Sequence, residues 1–402
     1  MKIFIKRIYL IFFLLFFMVF TATQSKATVT ITGTCPEASK VSTGAGSYVT
    51  PAQILELNSQ IQNEWDDALE RAREEISKYD SQPKLAESFS NSNTYVSHAA
   101  TQRGYQGYDL FALTVGGMAG IEVPSTDSSK LEDEFDKIED EGDVALGAAI
   151  QIWSAHLGIN IGKLPIVPED LYLGLKFGTF SKDFEFGDDD DKHKLDFDAL
   201  NWGLSLNYQL IKQKSLFGLL VWRGISLGSG FLFQSNKINY ELNLDPKEED
   251  FVQTLTIETE VQGQTVVRDE DLEGVVTVDP SINLGVESTT YTIPLEVMTG
   301  VRLLYIISLS LGAGVDLNFG STDIILKSNG NVSVDGEVSE YVSMSDGDVL
   351  INGSTKDKSP SLVRPRVMAN AGIGIGPVVL DVPVSYYFNN GYSVGASVGI
   401  VW

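Results

Sequence analysis

The chain has 402 residues, 54 of them acidic against 29 basic, for a net charge of −25. A surface of that sign repels phosphate backbones, so nucleic-acid binding is excluded. One cysteine, Cys35, cannot close an internal disulfide, and the three histidines, His98, His156 and His193, show no metal-ligand spacing.

In chain order, residues 1–27 read as a cleaved signal peptide. Lys2, Lys6 and Arg7 precede the thirteen-residue apolar run Ile8 to Phe20, and Ser25-Lys26-Ala27 offers small residues for the peptidase. The run falls short of the ~20 residues that a membrane-spanning helix needs, and nothing later approaches that length. Cys35 is preceded by Thr34 rather than by a small Gly, Ala or Ser, which disfavours a lipid anchor.

Residues 28–108 form a helical N-terminal segment. Thr50-Pro51-Ala52-Gln53 reads as a capping box with proline at the first helical position. Ile54, Leu57, Ile61, Trp65, Ala68, Ala72, Ile76 and Tyr79 then recur at helical spacing, predicting a helix over Pro51 to Tyr79. A weaker helix runs from Pro83 to about Ala99.

Residues 109–402 change period. Apolar residues alternate with small or polar ones over ten segments: Phe111 to Val123, Leu146 to Ile161, Leu171 to Phe180, Leu200 to Leu210, Leu216 to Phe233, Tyr291 to Tyr305, Ile307 to Phe319, Val363 to Ile375, Val378 to Phe388 and Tyr392 to Trp402. A two-residue period is that of a strand with one oily face. In two segments the parity slips, at Ile152-Trp153 and at Arg223-Gly224, which predicts a bulge at each. The second bulge keeps Arg223 off the lipid face, where a cation at the midplane costs ~2 to 4 kcal/mol. A membrane protein with no long apolar helix must cross as a closed barrel, because only helices and closed barrels satisfy every backbone polar group in lipid.

The fold class is thus an all-β, antiparallel, up-and-down transmembrane barrel of about ten strands. The count rises to twelve or fourteen if Phe251 to Val261 and Val275 to Leu284 also enter the wall. Alternating direction along the chain puts short connections on one side, near Gly162 to Pro168, Ile211 to Ser215, Tyr305-Ile306 and Gly376-Pro377. The other side receives five connections, four of them long, at Pro124 to Asp143, Ser181 to Asp198, Gln234 to Ser288 and Gly320 to Ser361, and one short, the Asn389-Asn390-Gly391 turn. Short periplasmic turns and long outer loops are the asymmetry of outer-membrane barrels. The first strand then starts on the periplasmic side, so residues 28–108 either hang below the barrel or fold up into it as a plug.

The inward positions carry charge: Lys176, Glu296, Arg302, Asp316, Arg364, Arg366 and Asp381, with Arg223 at its bulge, are the lumen candidates. They pair with one another across the wall or with a plug. Tyr386, Phe388, Tyr392 and Trp402 are candidate anchors at the membrane interface. The acidic runs Leu131 to Asp143 and Gly187 to Lys192 are read as solvated loop tips; clustered carboxylates suit calcium, but the spacing of a calcium loop is missing. Two Gly-x-Ser-x-Gly matches, centred on Ser226 and Ser397, lie within strands with no following helix, so neither makes a nucleophile elbow. His193 beside Asp188 to Asp191 is a loose rim cluster. No enzyme, cofactor or metal is expected.

Tyr392 to Trp402, an alternating strand closing on an aromatic, resembles the C-terminal signature of bacterial outer-membrane β-barrels, and with it the resemblance covers Phe111 to Trp402. A helical segment leading into a barrel resembles the long-chain fatty-acid transporter family, which implies a plugged lumen and hydrophobic substrates. The chain departs from that family in having about ten strands rather than fourteen and in lacking its asparagine-proline-alanine motif. Its long acidic loops resemble spirochaete-type surface barrels, which attach to host components. The functional expectation is a narrow or plugged channel in the bacterial outer membrane for small, including hydrophobic, molecules; the alternative is a surface adhesin or structural barrel. Outer-membrane lipid, the barrel assembly machinery, a small hydrophobic solute and a host surface component are the implied partners.

Overall fold

The computed structural model describes residues 30–40, 47–48, 50–77, 83–101, 108–123, 147–165, 167–186, 193–216, 218–243, 247–261, 264–337, 342–388 and 390–402. The expected signal peptide and the acidic runs Leu131 to Asp143 and Gly187 to Lys192 lie outside the described residues.

Ten strands form a closed antiparallel ring. They are β4 (Phe111–Glu122), β5 (Gly147–Asn160), β6 (Leu171–Phe186), β7 (His193–Ile211) and β9 (Leu220–Asn243), followed by β11 (Gln264–Leu303), β12 (Ile307–Gly336), β15 (Val363–Ile375), β16 (Val378–Tyr387) and β17 (Gly391–Val401). The ring closes where β17 pairs with β4, from Gly391↔Glu122 to Val401↔Ala112. These are the ten alternating segments of the sequence, in the same order. Exposed Leu113, Leu175, Leu204, Leu311, Val382 and Val398 point outward, while Thr114, Lys176, Asn201, Ser310, Asp381 and Ser397 are buried on the inner face. An apolar belt of this extent has no place in water and is the surface a bilayer covers.

Both bulges fall where the parity slips. Between Gly116↔Ser154 and Met118↔Gln151, residues Ile152 and Trp153 of β5 oppose Gly117 alone. Between Thr299↔Ile225 and Val301↔Trp222, residues Arg223 and Gly224 oppose Gly300 alone. Gly224 takes φ of 77°, a left-handed conformation that a side chain resists.

The wall does not become twelve- or fourteen-stranded. Phe251 to Val261 belongs to β10 (Lys247–Val261), which pairs with the first part of β11 from Lys247↔Val278 to Val261↔Gln264, and Val275 to Leu284 is the continuation of β11 itself. Both stand above the wall. Of the segments expected as long loops, Pro124 to Asp143 lies outside the described residues, and the described parts of Ser181 to Asp198, Gln234 to Ser288 and Gly320 to Ser361 are largely strand: β6, β7, β9, β11 and β12 run past the ring into a hydrogen-bonded extension. There β14 (Gly347–Lys358) takes the place of β15 beside β12, because a sheet edge left open would otherwise expose unpaired backbone groups. The short connections lie at the opposite end, where the two-residue β8 (Lys214–Ser215) pairs with β9.

The N-terminal residues add to the extension and not to the short-turn end. There, β1 (Thr30–Thr34) pairs with β14, β2 (Ala38–Lys40) with β13 (Val342–Met344), and β3 (Ser47–Tyr48) with β10. Helix α1 (Pro51–Ser77) opens with the reciprocal cap of its sequence, the Thr50 amide donating to Gln53 Oε1 at 2.9 Å and the Gln53 amide to Thr50 Oγ1 at 3.4 Å. Its Ile54, Leu57 and Ile61 pack on Ile257, Leu272 and Val342 of the extension. Helix α2 (Pro83–Val96) then enters the ring.

Candidate functional site

The bore is the place where the inward side chains meet, and α2 fills it. From Ser88 to Ala100 every residue is buried, polar ones included. A helix can lie this close to a wall only where the wall has no side chains in its way. At Gly147 a Cβ would run into the Ser88 backbone, at Gly120 it would come within 2.9 Å of Tyr95 Cβ, and at Gly391 within 2.5 Å of the Tyr95 hydroxyl. Small residues on one face of the strands thus make the seat for the helix.

Descending from the extension, Leu85, Ala86 and Phe89 pack against Leu284, Val286 and Ile324. Below them the contacts turn polar. Asn91 donates to Glu122 at 3.0 Å, the Tyr95 hydroxyl donates to the same carboxylate, and Arg364 Nη2 donates to both of its oxygens at 2.9 Å. Asn93 donates to Thr290 Oγ1 at 3.0 Å and to the carbonyls of Gln234 and Ser288 at 3.3 Å. Gln234 in turn donates to Gln151 and Asn236. The Tyr95 ring stacks on Tyr387 at 3.9 Å between centroids.

At mid-depth lies the densest charge. Arg366 donates to Asp316 at 3.1 Å, to Glu296 at 2.8 Å and toward His98 Nδ1 at 3.4 Å, while His98 Nε2 sits 2.9 Å from Asp316. Because Arg366 has only protons to give, Nδ1 must be the acceptor, and Nε2 carries the proton shared with Asp316. His98 is therefore neutral in this arrangement, and two carboxylates face one guanidinium. Arg366 also lies over the Tyr387 ring, 5.9 Å from its centroid. Lys176 donates to the Ser97 carbonyl, just beyond the end of α2, where the helix presents its electronegative pole. Further down, Thr114 donates to the Ala100 carbonyl at 3.1 Å, and near the short-turn end Tyr108 packs on Tyr172, while Asn160 donates to the Tyr108 and Asp109 carbonyls.

Of the lumen candidates, Glu296, Asp316 and Arg366 come together. Arg364 goes instead to Glu122. Arg302 and Asp381 share one cross-strand row, Arg302↔Ser308, Ser308↔Gly372 and Gly372↔Asp381, in which the residues between them are small; Asp381 also accepts from Asn370 at 3.0 Å. Arg223 is half-buried at its bulge, its carbonyl accepting from Gln209 at 2.7 Å. Glu122, Asn91, Asn93 and Tyr95 are not among the candidates the sequence offers, and His98 stands there only as a histidine without metal-ligand spacing. Glu122 could have been, because it continues the inward parity of Thr114, Gly116, Met118 and Gly120.

Tyr386 packs on Phe388 and Tyr392 at the long-connection end, and Trp402 is exposed at the other. Ser226 and Ser397 are mid-strand, in β9 and β17. His193 contacts Phe186 and Tyr240; its acidic neighbours Asp188 to Asp191 lie outside the described residues.

A second site is apolar. A cavity of about 950 Å³ reaches from outward Ile121, Ile150 and Tyr392 to Phe89 of α2 and the inner faces of Phe197, Ile238 and Val286. It exists because the wall parts there. β5 pairs with β6 only from Ala155↔Phe177 to Asn160↔Tyr172, so among the described residues Gly147 to Ser154 and Gly178 to Phe186 do not pair with each other.

A closed ring of ten antiparallel strands, an oily belt outside and a charged bore inside define a transmembrane β-barrel of the outer-membrane type. The chain belongs to the Lsa36-like family, whose pattern matches residues 26–402. No curated protein matches it. Among solved structures it is similar to the translocator domain of the autotransporter NalP from Neisseria meningitidis, at 10% identity over 77% of this chain and 94% of that one, with a TM-score of 0.27. It is also similar to the P. putida toluene transporter TodX, at 8% identity over 79% and 99% of the two chains with a TM-score of 0.25, and to Acinetobacter baumannii CarO, at 11% over 59% and 95% with a TM-score of 0.23. At such scores these likenesses carry no argument, and the barrel rests on its strand pairing.

Proposed function

We propose that the protein is a bacterial outer-membrane barrel for passive uptake of small hydrophobic molecules, with its polar bore closed by α2 as a plug. The observation that carries this reading is the apolar cavity at the parted edges of β5 and β6. It faces lipid on one side and the plug on the other, and its aliphatic and aromatic lining offers nothing to an ion or a sugar. An apolar solute enters there, and its onward route opens when α2 yields. Ions meet a bore packed with buried side chains.

Uptake of a naphthalene-sized fluorescent dye by whole cells tests this, because an outer leaflet of glycolipid hinders such dyes. Cells carrying the barrel take up the dye faster than cells without it, and Ala148→Trp, at the outward mouth of the cavity, returns uptake to the barrel-free rate. Equal uptake with and without the barrel, or an Ala148→Trp variant as active as the wild type, sinks the reading. A second reading, attachment to a host surface component, is favoured by the hydrogen-bonded extension, which presents β10 and β11 well beyond the wall.

A further inference from the structure

The two ends of the segment before the barrel lie on opposite faces of the membrane. β1 and α1 are built into the extension at the long-connection end, with Thr30↔Asn352 to Thr34↔Asp348 in register and Leu57 seated on Ile257 and Leu272. The first wall strand, β4, begins at the other end, where the Leu110 and Phe111 amides donate to the Trp402 carbonyl. Between these points the chain marks its own depth: Phe89 at the extension, Tyr95 beside Glu122, His98 beside Asp316, Ala100 beside Thr114, and Tyr108 beside Tyr172. The ring around it is continuous in its lower half, because β5 and β6 are paired from Ala155 to Asn160. The described residues of this segment, 83–101 and Tyr108, therefore lie inside the ring at successive depths from one end to the other.

We propose that residues 30–77 are a surface module that this barrel carries through its own bore and displays, with residues 83–108 left behind as the tether. Long connections mark the outer face and short turns the periplasmic face. A segment that starts in the periplasm and ends on the outer face must cross the membrane, and α1 alone holds nine charged residues between Glu56 and Glu75. Lipid does not admit such a segment, whereas the bore offers a polar path as wide as a helix. Once outside, the module is fixed by strand addition: β1 covers the edge of β14, and β2 covers β13. Its Asn58 holds β2 at both backbone groups of Ala38, at 2.6 and 3.0 Å. Display and solute uptake are separate properties, and the following measurement does not read uptake.

Cys35, the one cysteine of the chain, lies in this module and reports its side directly. It is half-buried, and burial together with nearby Asp66 and Glu37 pushes its thiol up, so labelling is run to completion at mildly alkaline pH. The decisive site is exposed Ser39, as Ser39→Cys in a Cys35→Ser background. A membrane-impermeant maleimide added to intact cells labels Cys35 and Ser39→Cys as fully as after permeabilisation. Glu169→Cys, at the short-turn end and also in the Cys35→Ser background, is labelled only after permeabilisation. Variants that fail to fold are recognised by losing the heat-dependent gel shift, and wild-type Cys35 then gives the answer alone. The proposal is overturned if the N-terminal sites stay unlabelled until permeabilisation, or if Glu169→Cys labels in intact cells.

Discussion

Arg366→Met is the most searching single change. Arg366 is fully buried, and its side chain serves Asp316 at 3.1 Å and Glu296 at 2.8 Å. Methionine keeps much of the volume and removes the charge, leaving two carboxylates in the bore with only the His98 imidazole beside Asp316. Charge-assisted hydrogen bonds contribute roughly 1.5 to 3 kcal/mol each, so losing two costs about 3 to 6 kcal/mol. The general cost of breaking a buried ion pair from one side, about 3 to 5 kcal/mol, agrees. At ~1.4 kcal/mol per tenfold change, that is two decades or more in the unfolding constant. The assay is equilibrium urea unfolding of the barrel refolded in lipid vesicles, where the midpoint falls while the slope holds. Arg366→Met combined with Asp316→Asn and Glu296→Gln recovers most of the loss, because the stranded anions are gone. A single variant within about 1 kcal/mol of wild type refutes the reasoning: the bore would then be wet enough to screen the charges.

Two further outcomes follow from the seat and cap of the helices. Gly147→Val places side-chain atoms into the Ser88 backbone, so α2 is unseated and steady ion conductance in planar bilayers appears where the wild type is silent; a silent Gly147→Val barrel would mean that this glycine does not hold the plug. Thr50→Ala removes one arm of the α1 cap and costs about 1 kcal/mol of local stability; faster proteolytic cleavage within α1, with the barrel core still resistant, is the readout, and an unchanged cleavage rate contradicts it.

The wall was legible because lipid enforces one rule at every outward position, and a violation as small as Ile152-Trp153 or Arg223-Gly224 shows as a change of parity. Above the membrane that rule lapses. In the first part of β11, Val266, Val267, Arg268 and Asp269 are exposed in succession, on both faces of the strand, so no alternation marks a depth there and the segment reads as loop. The place of α2 was not legible for a different reason. Asn91 holds the Ser361 amide 270 positions away at 2.7 Å, and Arg364 reaches back 242 positions to Glu122. Such pairs leave no spacing to find. The end of the barrel taken by residues 30–40 depends on backbone ladders with β14 and β13, which side-chain patterns do not announce.

β11 has one more consequence. It is a single strand of 40 residues, paired without interruption to β12 from Gly274 to Leu303. At ~3.3 Å per residue its contour approaches 130 Å, several times what a bilayer crossing uses. Load applied at the tip of the extension therefore runs parallel to the strands, where a ladder resists in shear with many hydrogen bonds stretched together rather than unzipped one at a time. The same strand that lines the bore at Glu296 is the shaft of that lever. Mechanically, the outer tip and the charged centre of the barrel are one piece.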